Sequence, residues 1–424
     1  MKFKRIINNF INQEYLFSVF SKLVGVALAI VYSVIYNRYL GATLKGDAAI
    51  ISNYIALISS FSCLGMYQAY PYYKKREKDD VFYSFINNMT SLYLLMFAVS
   101  VILVLIIPVG LNLKCAILLV PFHSYIRHIN YVVMVEAPRR RNISSMLINL
   151  TDIFVVLAFF VFTDASYSCL IAILFIQILI NLFLSYRNLH VVFQHLKFDL
   201  SKVIKYAKYG IIPMLTLMLM TLNYRIDILM LEHSGNISKA EIGVYSVGVA
   251  LAEKIWLVPD AIKDILLSRL SRGKANSEVA KVIRLSLAIS IAMLIVFTLC
   301  GKWVINFLYG VEYAGSYQIL VIMLIGVIGM IFYKMVYSYN IVYGRKIINM
   351  IFLGLAAFIN IIANYLLIPM YGINAAAGAS AISYTLCGIC FLVYFCYVEK
   401  MSVWKVIFVQ KDDIKTIKTF LNGK

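Results

Sequence analysis

Residues 15–35 read YLFSVFSKLVGVALAIVYSVI, an apolar run with a single charged side chain, Lys22. A helix needs roughly 20 such residues to cross about 30 Å of hydrocarbon, so this run is long enough to span a bilayer. Runs of the same kind recur along the 424 residues, which are 62% hydrophobic and have a mean hydropathy of +0.84. This composition excludes a soluble globular protein and predicts an all-α, polytopic membrane protein.

The apolar runs predict about twelve transmembrane helices. They cover residues 15–35, 47–69, 81–107, 114–135, 143–162, 166–186, 207–230, 242–266, 282–300, 316–339, 347–368 and 373–397. The outer connections between them are short. A polysaccharide polymerase would carry its chemistry on a large water-facing loop, so the short connections favour transport.

The basic residues indicate the orientation of the chain. Only five of the 39 Lys and Arg residues fall in the predicted outer loops, at Arg38, Lys45, Lys114, Lys239 and Lys302. The inner gaps are rich in basic residues, as in KKREK at 74–78 and RRR at 139–141. An even number of spans with this bias places both termini in the cytoplasm by the positive-inside rule.

Several function classes are disfavoured by the sequence. The net charge of +19 comes from basic residues scattered over short loops, which favours contact with membrane lipids and predicts no nucleic-acid partner. The seven cysteines lie in apolar spans, so CGIC at 387–390 predicts neither a metal site nor a redox site. No nucleotide-binding, zinc-protease or serine-hydrolase motif is present. We therefore expect a secondary transporter without a cofactor, and not an enzyme.

The two halves of the sequence show weak similarity. RYLG at 38–41 precedes a small-residue helix, and the turn at Gly235 precedes a similar one beginning near Ala240. These features predict an N-terminal six-helix bundle at 1–186, a cytoplasmic linker at 187–206, a C-terminal six-helix bundle at 207–398 and a cytoplasmic amphipathic tail at 399–424.

An ordered set of motifs resembles the Wzx-type O-antigen flippases of the multidrug/oligosaccharidyl-lipid/polysaccharide (MOP) exporter superfamily. The motifs are RYLG at 38–41 with Gly46, YGIIP at 209–213 with Asp227, EIGVYS at 241–246, and NYLLIPMYGINAAAG at 364–378. The resemblance covers nearly the whole chain. It implies a MATE-like, V-shaped pair of bundles in a bacterial cytoplasmic (inner) membrane, which flips a polyprenyl-pyrophosphate-linked oligosaccharide for surface polysaccharide assembly. A polysaccharide polymerase and a chain-length regulator are candidate partners.

Charged residues inside the spans are the candidate site residues. A central charge exposed to lipid costs about 2.5–3.5 kcal/mol, so these side chains must face water or one another. Lys22, Arg127 and Arg225 are candidates for binding phosphate or an acidic glycan. His123 and Tyr131 share a helical stripe with Arg127 and are predicted to line the same cavity. The alternative is a structural ion pair, for example between Arg127 and Asp152.

An ion gradient or the membrane potential is the expected energy source. Asp152, Asp227 and Glu253 are the candidates for ion coupling, although packing or local pairing would also explain Asp227 and Glu253. Asp260 and Lys334 are interpreted mostly as interface residues, and Tyr70, Tyr72 and Tyr73 as an interfacial aromatic belt.

Three other functions stay open at this point. A multidrug or metabolite exporter of the same superfamily would have a mainly acidic and aromatic cavity. A membrane polysaccharide polymerase would need the large outer loop, and a scaffold would have no use for charges at this depth.

Overall fold

The computed structural model of the protein describes residues 14–77, 81–189, 198–271, 277–410 and 413, and within these ranges it is built from helices joined by turns and short loops. The all-α fold class is confirmed. Residues 1–13 lie outside the described set, as does the side chain of Lys22. The α-helices are, in chain order, α1 (Glu14–Ser62), α2 (Ala69–Arg76), α3 (Val81–Ile106), α4 (Leu111–Glu136), α5 (Pro138–Phe162), α6 (Tyr167–Arg187), α7 (Leu200–His233), α8 (Lys239–Glu253), α9 (Leu257–Ser271), α10 (Ser277–Tyr309), α11 (Ser316–Val342), α12 (Lys346–Glu399) and α13 (Val403–Ile407).

Nine helical segments of the described chain are long and apolar enough to cross a membrane. Two of them, α1 and α12, are interrupted at Gly41 (φ 66°) and Gly372 (φ 58°), backbone conformations that glycine adopts readily. Each of these two helices therefore holds two of the predicted spans. The remaining predicted span is α4, which has 26 residues but is not among these nine segments. The protein is a multi-pass membrane protein with the predicted set of spans.

The chain divides into two compact units, residues 1–221 and 222–424. The division falls inside α7, which runs without a break from Leu200 to His233. The two six-helix bundles at 1–186 and 207–398 stay a prediction, as does the linker at 187–206. Residues 190–197 of that linker lie outside the described set.

In the first unit, α1 packs against α4 and α5, and α3 packs against α4. One cluster of buried side chains includes Tyr36, Ile51 and Leu119. A second cluster includes Phe85 and Ile129. Helix α4 contributes to both clusters, so its orientation is fixed by apolar burial on two sides.

In the second unit, α11 packs closely along the C-terminal half of α12. A Cβ atom added to Gly326 would lie 2.6 Å from the Cα atom of Ala381, and one added to Gly388 would overlap the backbone of Gly329. Small residues at these positions let the two helix backbones approach each other, which is how helices associate in lipid. By contrast, a Cβ atom added to Gly378 on α12 would meet no atom within 4 Å.

We predict that Gly388→Ala destabilises the protein, because the added methyl group forces α11 and α12 apart. Gly378→Ala is the matched control on the same helix. It should keep or raise stability, since alanine is favoured over glycine in a helix by about 1 kcal/mol. Thermal unfolding of the detergent-solubilised variants, followed by size-exclusion chromatography, measures the difference. Equal melting temperatures for Gly388→Ala and wild type would contradict the close packing.

The chain beyond α12 returns to the N-terminal part of α10. The Arg284 guanidinium donates from Nε to Oδ2 of Asp413 at 2.5 Å and from Nη2 to Oδ1 at 2.9 Å. Its Nη1 donates to the Lys405 carbonyl oxygen at 2.7 Å. Both charged side chains are buried, and the Arg284 guanidinium holds the pKa of the Asp413 carboxyl below its usual range. Residues 411–412 and 414–424 of the predicted tail lie outside the described set.

We predict that Arg284→Gln releases residues 403–410, because a buried carboxylate without its partner costs about 3 kcal/mol. In wild type, the contribution of Asp413 is fully present above its unfolded pKa of about 3.9 and is lost only as the pH falls through the lower folded value. Limited proteolysis at pH 7 and pH 5 should therefore leave wild type intact and cleave the variant at both. Lys302→Gln, also on α10, is the control that should behave as wild type. Protection of the tail in Arg284→Gln would show that the ion pair does not hold it.

Candidate functional site

Helix α4 presents two faces of different character. Ser124, His128 and Ile129 are buried on one face, whereas His123 is exposed and Arg127 is partly exposed on the other. The sequence placed His123, Arg127 and Tyr131 on one stripe, and Tyr131 is also only partly buried. These three side chains therefore share the accessible face of a helix that is otherwise fixed by packing.

Among the described residues, no carboxylate pairs with the guanidinium group of Arg127. Its Nη1 atom is buried and makes no hydrogen bond with any described residue. The neutral side chains of Cys63 and Tyr67 are its electrostatic neighbours. Arg127 and Asp152 are both described, and they do not form the ion pair that the sequence allowed as an alternative. A cation at this depth without a counter-charge is costly unless a ligand or water completes it.

A hydrogen-bond network holds the buried face of α4. The His128 ring lies against Tyr93, with 3.1 Å between the Tyr93 hydroxyl and Nδ1, and Nδ1 lies 2.9 Å from the Ser124 carbonyl oxygen. The Ser124 hydroxyl lies 2.8 Å from that of Ser62 on α1. Tyr67 packs edge-on against the rings of both His128 and Tyr131. The network fixes the rotation of α4 and so keeps the accessible stripe in place.

Asp152 lies in the middle of α5, apart from the α4 stripe. Its Oδ1 atom is buried and has no hydrogen-bond partner among the described residues. Tyr32 on α1 interacts electrostatically with Asp152, and its hydroxyl donates to Oε1 of Gln177 on α6 at 3.2 Å. The Nε2 atom of Gln177 is also without a partner in the described part of the chain. Asp152 thus belongs to a second, incompletely bonded polar group of the first unit.

In the second unit, Arg225 pairs with Glu253 across two helices. The Nη2 atom of Arg225 lies 3.6 Å from Oε2 of Glu253, while Oε1 of Glu253 is buried without a partner among the described residues. The ring of Trp256 packs against Tyr224 and Tyr384. The predicted phosphate-binding Arg225 is therefore partly neutralised, unlike Arg127.

Asp227 lies on the same helix as Arg225 but makes different contacts. The residue is 1% exposed. Its carboxylate accepts hydrogen bonds from the Tyr245 hydroxyl, from the Ser380 hydroxyl at 3.2 Å and from the Ile228 backbone nitrogen at 2.9 Å. No described cation forms an ion pair with it, so the negative charge is surrounded by neutral donors.

The Asp227 carboxylate lies at the end of a buried cluster of neutral polar side chains. Asn360 on α12 donates to Ser380 at 3.2 Å and to Ser383 at 3.3 Å. Ser383 donates to Oδ1 of Asn223 at 2.5 Å, and Asn364 donates to Oδ1 of Asn360 at 2.6 Å. The Oδ1 atom of Asn364 has no donor among the described residues. We call Asn223, Asp227, Asn360, Asn364, Ser380 and Ser383 the oxygen cluster.

Lys334 differs from its sequence-based interpretation as an interface residue, because it is buried. Its Nζ atom donates to both carboxylate oxygens of Asp260, at 2.9 Å and 3.0 Å, and lies 4.4 Å from the centroid of the Trp256 ring. Both ends of this interaction are satisfied within the second unit. Lys334 and Asp260 therefore form a structural ion pair rather than a site for a ligand.

Sequence reasoning identified Asp227 but missed the rest of the oxygen cluster. A usable signal was present, since Asn223 and Asp227 are four residues apart, as are Asn360 and Asn364. That spacing places each pair on one face of a helix. Neutral amides and hydroxyls cost less in a membrane helix than charges do, so they do not stand out in a search for ionisable residues.

The sequence matches no family model and no curated protein sequence. Solved structures match it along most of its length. The lipid II flippase MurJ in an inward closed conformation has a TM-score of 0.71 at 15% identity, covering 93% of this chain and 88% of that chain. An inward-facing multidrug resistance MATE family transporter of the MOP superfamily has a TM-score of 0.66 at 11% identity, covering 90% and 99%.

A third solved structure is a MOP superfamily transporter from Pyrococcus furiosus, described as having a binding pocket of reverse polarity. It has a TM-score of 0.61 at 12% identity, covering 91% of this chain and 96% of that chain. At these identities the likeness concerns the fold. The chain is a multi-pass membrane protein with the fold shared by MATE transporters and the lipid II flippase MurJ.

Proposed function

We propose that this protein is a flippase that moves a polyprenyl-pyrophosphate-linked oligosaccharide across a bacterial cytoplasmic membrane for surface polysaccharide assembly. The observation that carries the proposal is that no described carboxylate pairs with the Arg127 guanidinium on the accessible face of α4. A pyrophosphate supplies the negative charge and the acceptor oxygens that Arg127 lacks. The planar fork of arginine suits two phosphate oxygens at once.

The neighbours of Arg127 fit the same kind of ligand. His123 is exposed one turn before it on α4, and Tyr131 is partly exposed one turn after it. Their side chains can donate hydrogen bonds to sugar hydroxyls or phosphate oxygens. The fold supports the proposal through one of its solved representatives, which is named a lipid II flippase and thus acts on a lipid-linked substrate. Lys22 and Arg225 are proposed as further contacts for the anionic head group.

We predict that Arg127→Ala leaves the protein inserted in the membrane but blocks display of the surface polysaccharide. Arg127→Lys should retain part of the activity, because lysine keeps the charge and loses only the paired hydrogen bonds. The measurement is surface glycan per molecule of membrane-inserted protein, together with accumulation of the lipid-linked precursor on the cytoplasmic side.

Arg284→Lys is a control for that experiment, since Arg284 holds the tail and lies outside the proposed site. Normal surface glycan with Arg127→Ala at wild-type protein levels would remove Arg127 from the site. It would also remove the main support for the flippase proposal.

For energy supply, we propose that Asp227 and the oxygen cluster take up a small cation, either an alkali ion or a proton. Hard cations prefer carboxylate, amide and hydroxyl oxygens, which this cluster provides. The cluster contains one formal negative charge that forms no ion pair with a described cation, and the Oδ1 atom of Asn364 accepts no hydrogen bond from a described residue. Asp152 and Glu253 each have one carboxylate oxygen without a described hydrogen-bond partner and are further proposed coupling sites.

We predict that Asp227→Asn abolishes the response of the purified protein to the coupling ion, because the amide keeps the shape of the carboxylate but not its charge. The measurement is the melting temperature in Na⁺ against K⁺ at fixed ionic strength, and across pH at fixed Na⁺. Asp47→Asn is the matched control, since Asp47 is a buried carboxylate of the first unit that accepts from Asn112 at 2.8 Å. An undiminished ion or pH response in Asp227→Asn would exclude the cluster as the coupling site.

A multidrug or metabolite exporter is the second candidate, and one observation favours it. The Oε1 atom of Glu253 makes no hydrogen bond with a described residue, and Glu253 interacts electrostatically with Tyr224 and Tyr384. The rings of Tyr224, Tyr384 and Trp256 pack together, and this combination of charge and rings suits an organic cation. Resistance of cells to lipophilic cations, measured on the same Arg127 variants, separates the two functions. An exporter would confer resistance that Arg127→Ala does not lower.

A further inference from the structure

A pocket of about 650 Å³ lies between α2 and the N-terminal part of α7, entirely within the first unit. Its lining consists of three tyrosines, two lysines, a serine and an isoleucine: Tyr72, Tyr73, Tyr209, Lys205, Lys208, Ser201 and Ile204. No carboxylate belongs to this lining. The charge distribution of the sequence predicts that this end of the helices faces the cytoplasm.

Cations exceed anions around this pocket. Lys205 forms an ion pair with Glu77, so its charge is partly neutralised. Lys208 is exposed and makes no ion pair or hydrogen bond with any described residue. Arg76 lies 4.1 Å from the centroid of the Tyr72 ring and donates to the hydroxyl of that residue. The pocket therefore carries excess positive charge beside hydroxyl groups.

The tyrosine rings line the pocket and contact the nearby cations. The ring of Tyr72 packs against that of Tyr209, with 4.4 Å between the two centroids, and also lies against Arg76. The Lys205 ammonium group lies 4.6 Å from the centroid of the Tyr73 ring, which packs against Tyr206. The Tyr73 hydroxyl has no partner among the described residues, so it can donate to a ligand.

The outward face of α7 continues from the pocket as an apolar surface. Ile204, Ile211 and Ile212 are between 43% and 49% exposed, and they share a helical stripe with Lys205 and Lys208. Basic groups at the inner end of a stripe, followed by exposed isoleucines, match a phosphate headgroup followed by acyl chains. Basic pockets on the cytoplasmic side of membrane helices bind anionic lipid headgroups in this way.

We propose that this pocket binds the phosphate headgroup of an anionic glycerophospholipid from the cytoplasmic leaflet, with Lys208 and Lys205 as cationic contacts and the Tyr73 and Ser201 hydroxyls as hydrogen-bond donors. The bound lipid bridges α2 and α7 and stabilises the first unit. Arg127 does not line this pocket, and the inference stands independently of the proposed transport function.

The test uses the full chain in nanodiscs of phosphatidylcholine with and without phosphatidylglycerol. Lipid retention is measured by native mass spectrometry, and stability by thermal unfolding. We expect phosphatidylglycerol to raise the melting temperature of wild type. The double variant Lys205→Gln/Lys208→Gln should lose this gain and bind phosphatidylglycerol on the order of tenfold more weakly. Tyr73→Phe, which removes one hydroxyl and keeps the packing, should weaken binding severalfold.

Lys346→Gln/Lys400→Gln is the matched control, because it removes two exposed lysines from the second unit. An equal loss of phosphatidylglycerol binding in this control would show that only net charge matters and would overturn the site. Unchanged binding in Lys205→Gln/Lys208→Gln would overturn it as well. If inorganic phosphate in neutral detergent stabilised the protein to the same extent, the ligand of this pocket would be free phosphate and not a lipid. Preferential retention of polyprenyl diphosphate over phosphatidylglycerol would contradict the phospholipid assignment.

Discussion

The cost of placing a charge in hydrocarbon governs the whole arrangement of polar side chains in this protein. The structure meets that cost in three ways. The partly exposed carboxylate of Asp260 neutralises the buried Lys334, and Asp227 is surrounded by neutral hydrogen-bond donors. Arg127 is left with a buried nitrogen atom that no described residue completes. The first solution is purely structural, whereas the third leaves a polar atom for the proposed ligand. The degree of completion is therefore the criterion by which we assign residues to the fold or to the proposed site.

Much of the fold could be predicted from the sequence, because the hydropathy of each run shows the length of a helix and whether it lies in the membrane. The breaks at Gly41 and Gly372 fall between predicted spans, where one apolar run of the sequence ends and the next has not begun. At the start of α8, the Ser238 side chain accepts from the Glu241 backbone nitrogen at 3.2 Å, a local capping pattern that needs no tertiary information. Features that depend on one helix and its immediate neighbours in the chain are the ones that a sequence can specify.

The pairing of the buried charges could not be predicted, since it depends on which helix faces which. The position of Lys334 along its predicted span suggested that its side chain would extend to the membrane–water interface. Contacts with Asp260 and Trp256 instead hold it inside the second unit. The sequence allowed Arg127 to pair with Asp152 and Glu253 to pair locally. The structure instead pairs Glu253 with Arg225 and leaves Arg127 and Asp152 apart. Tertiary contacts of this kind decide whether a membrane-embedded charge is functional.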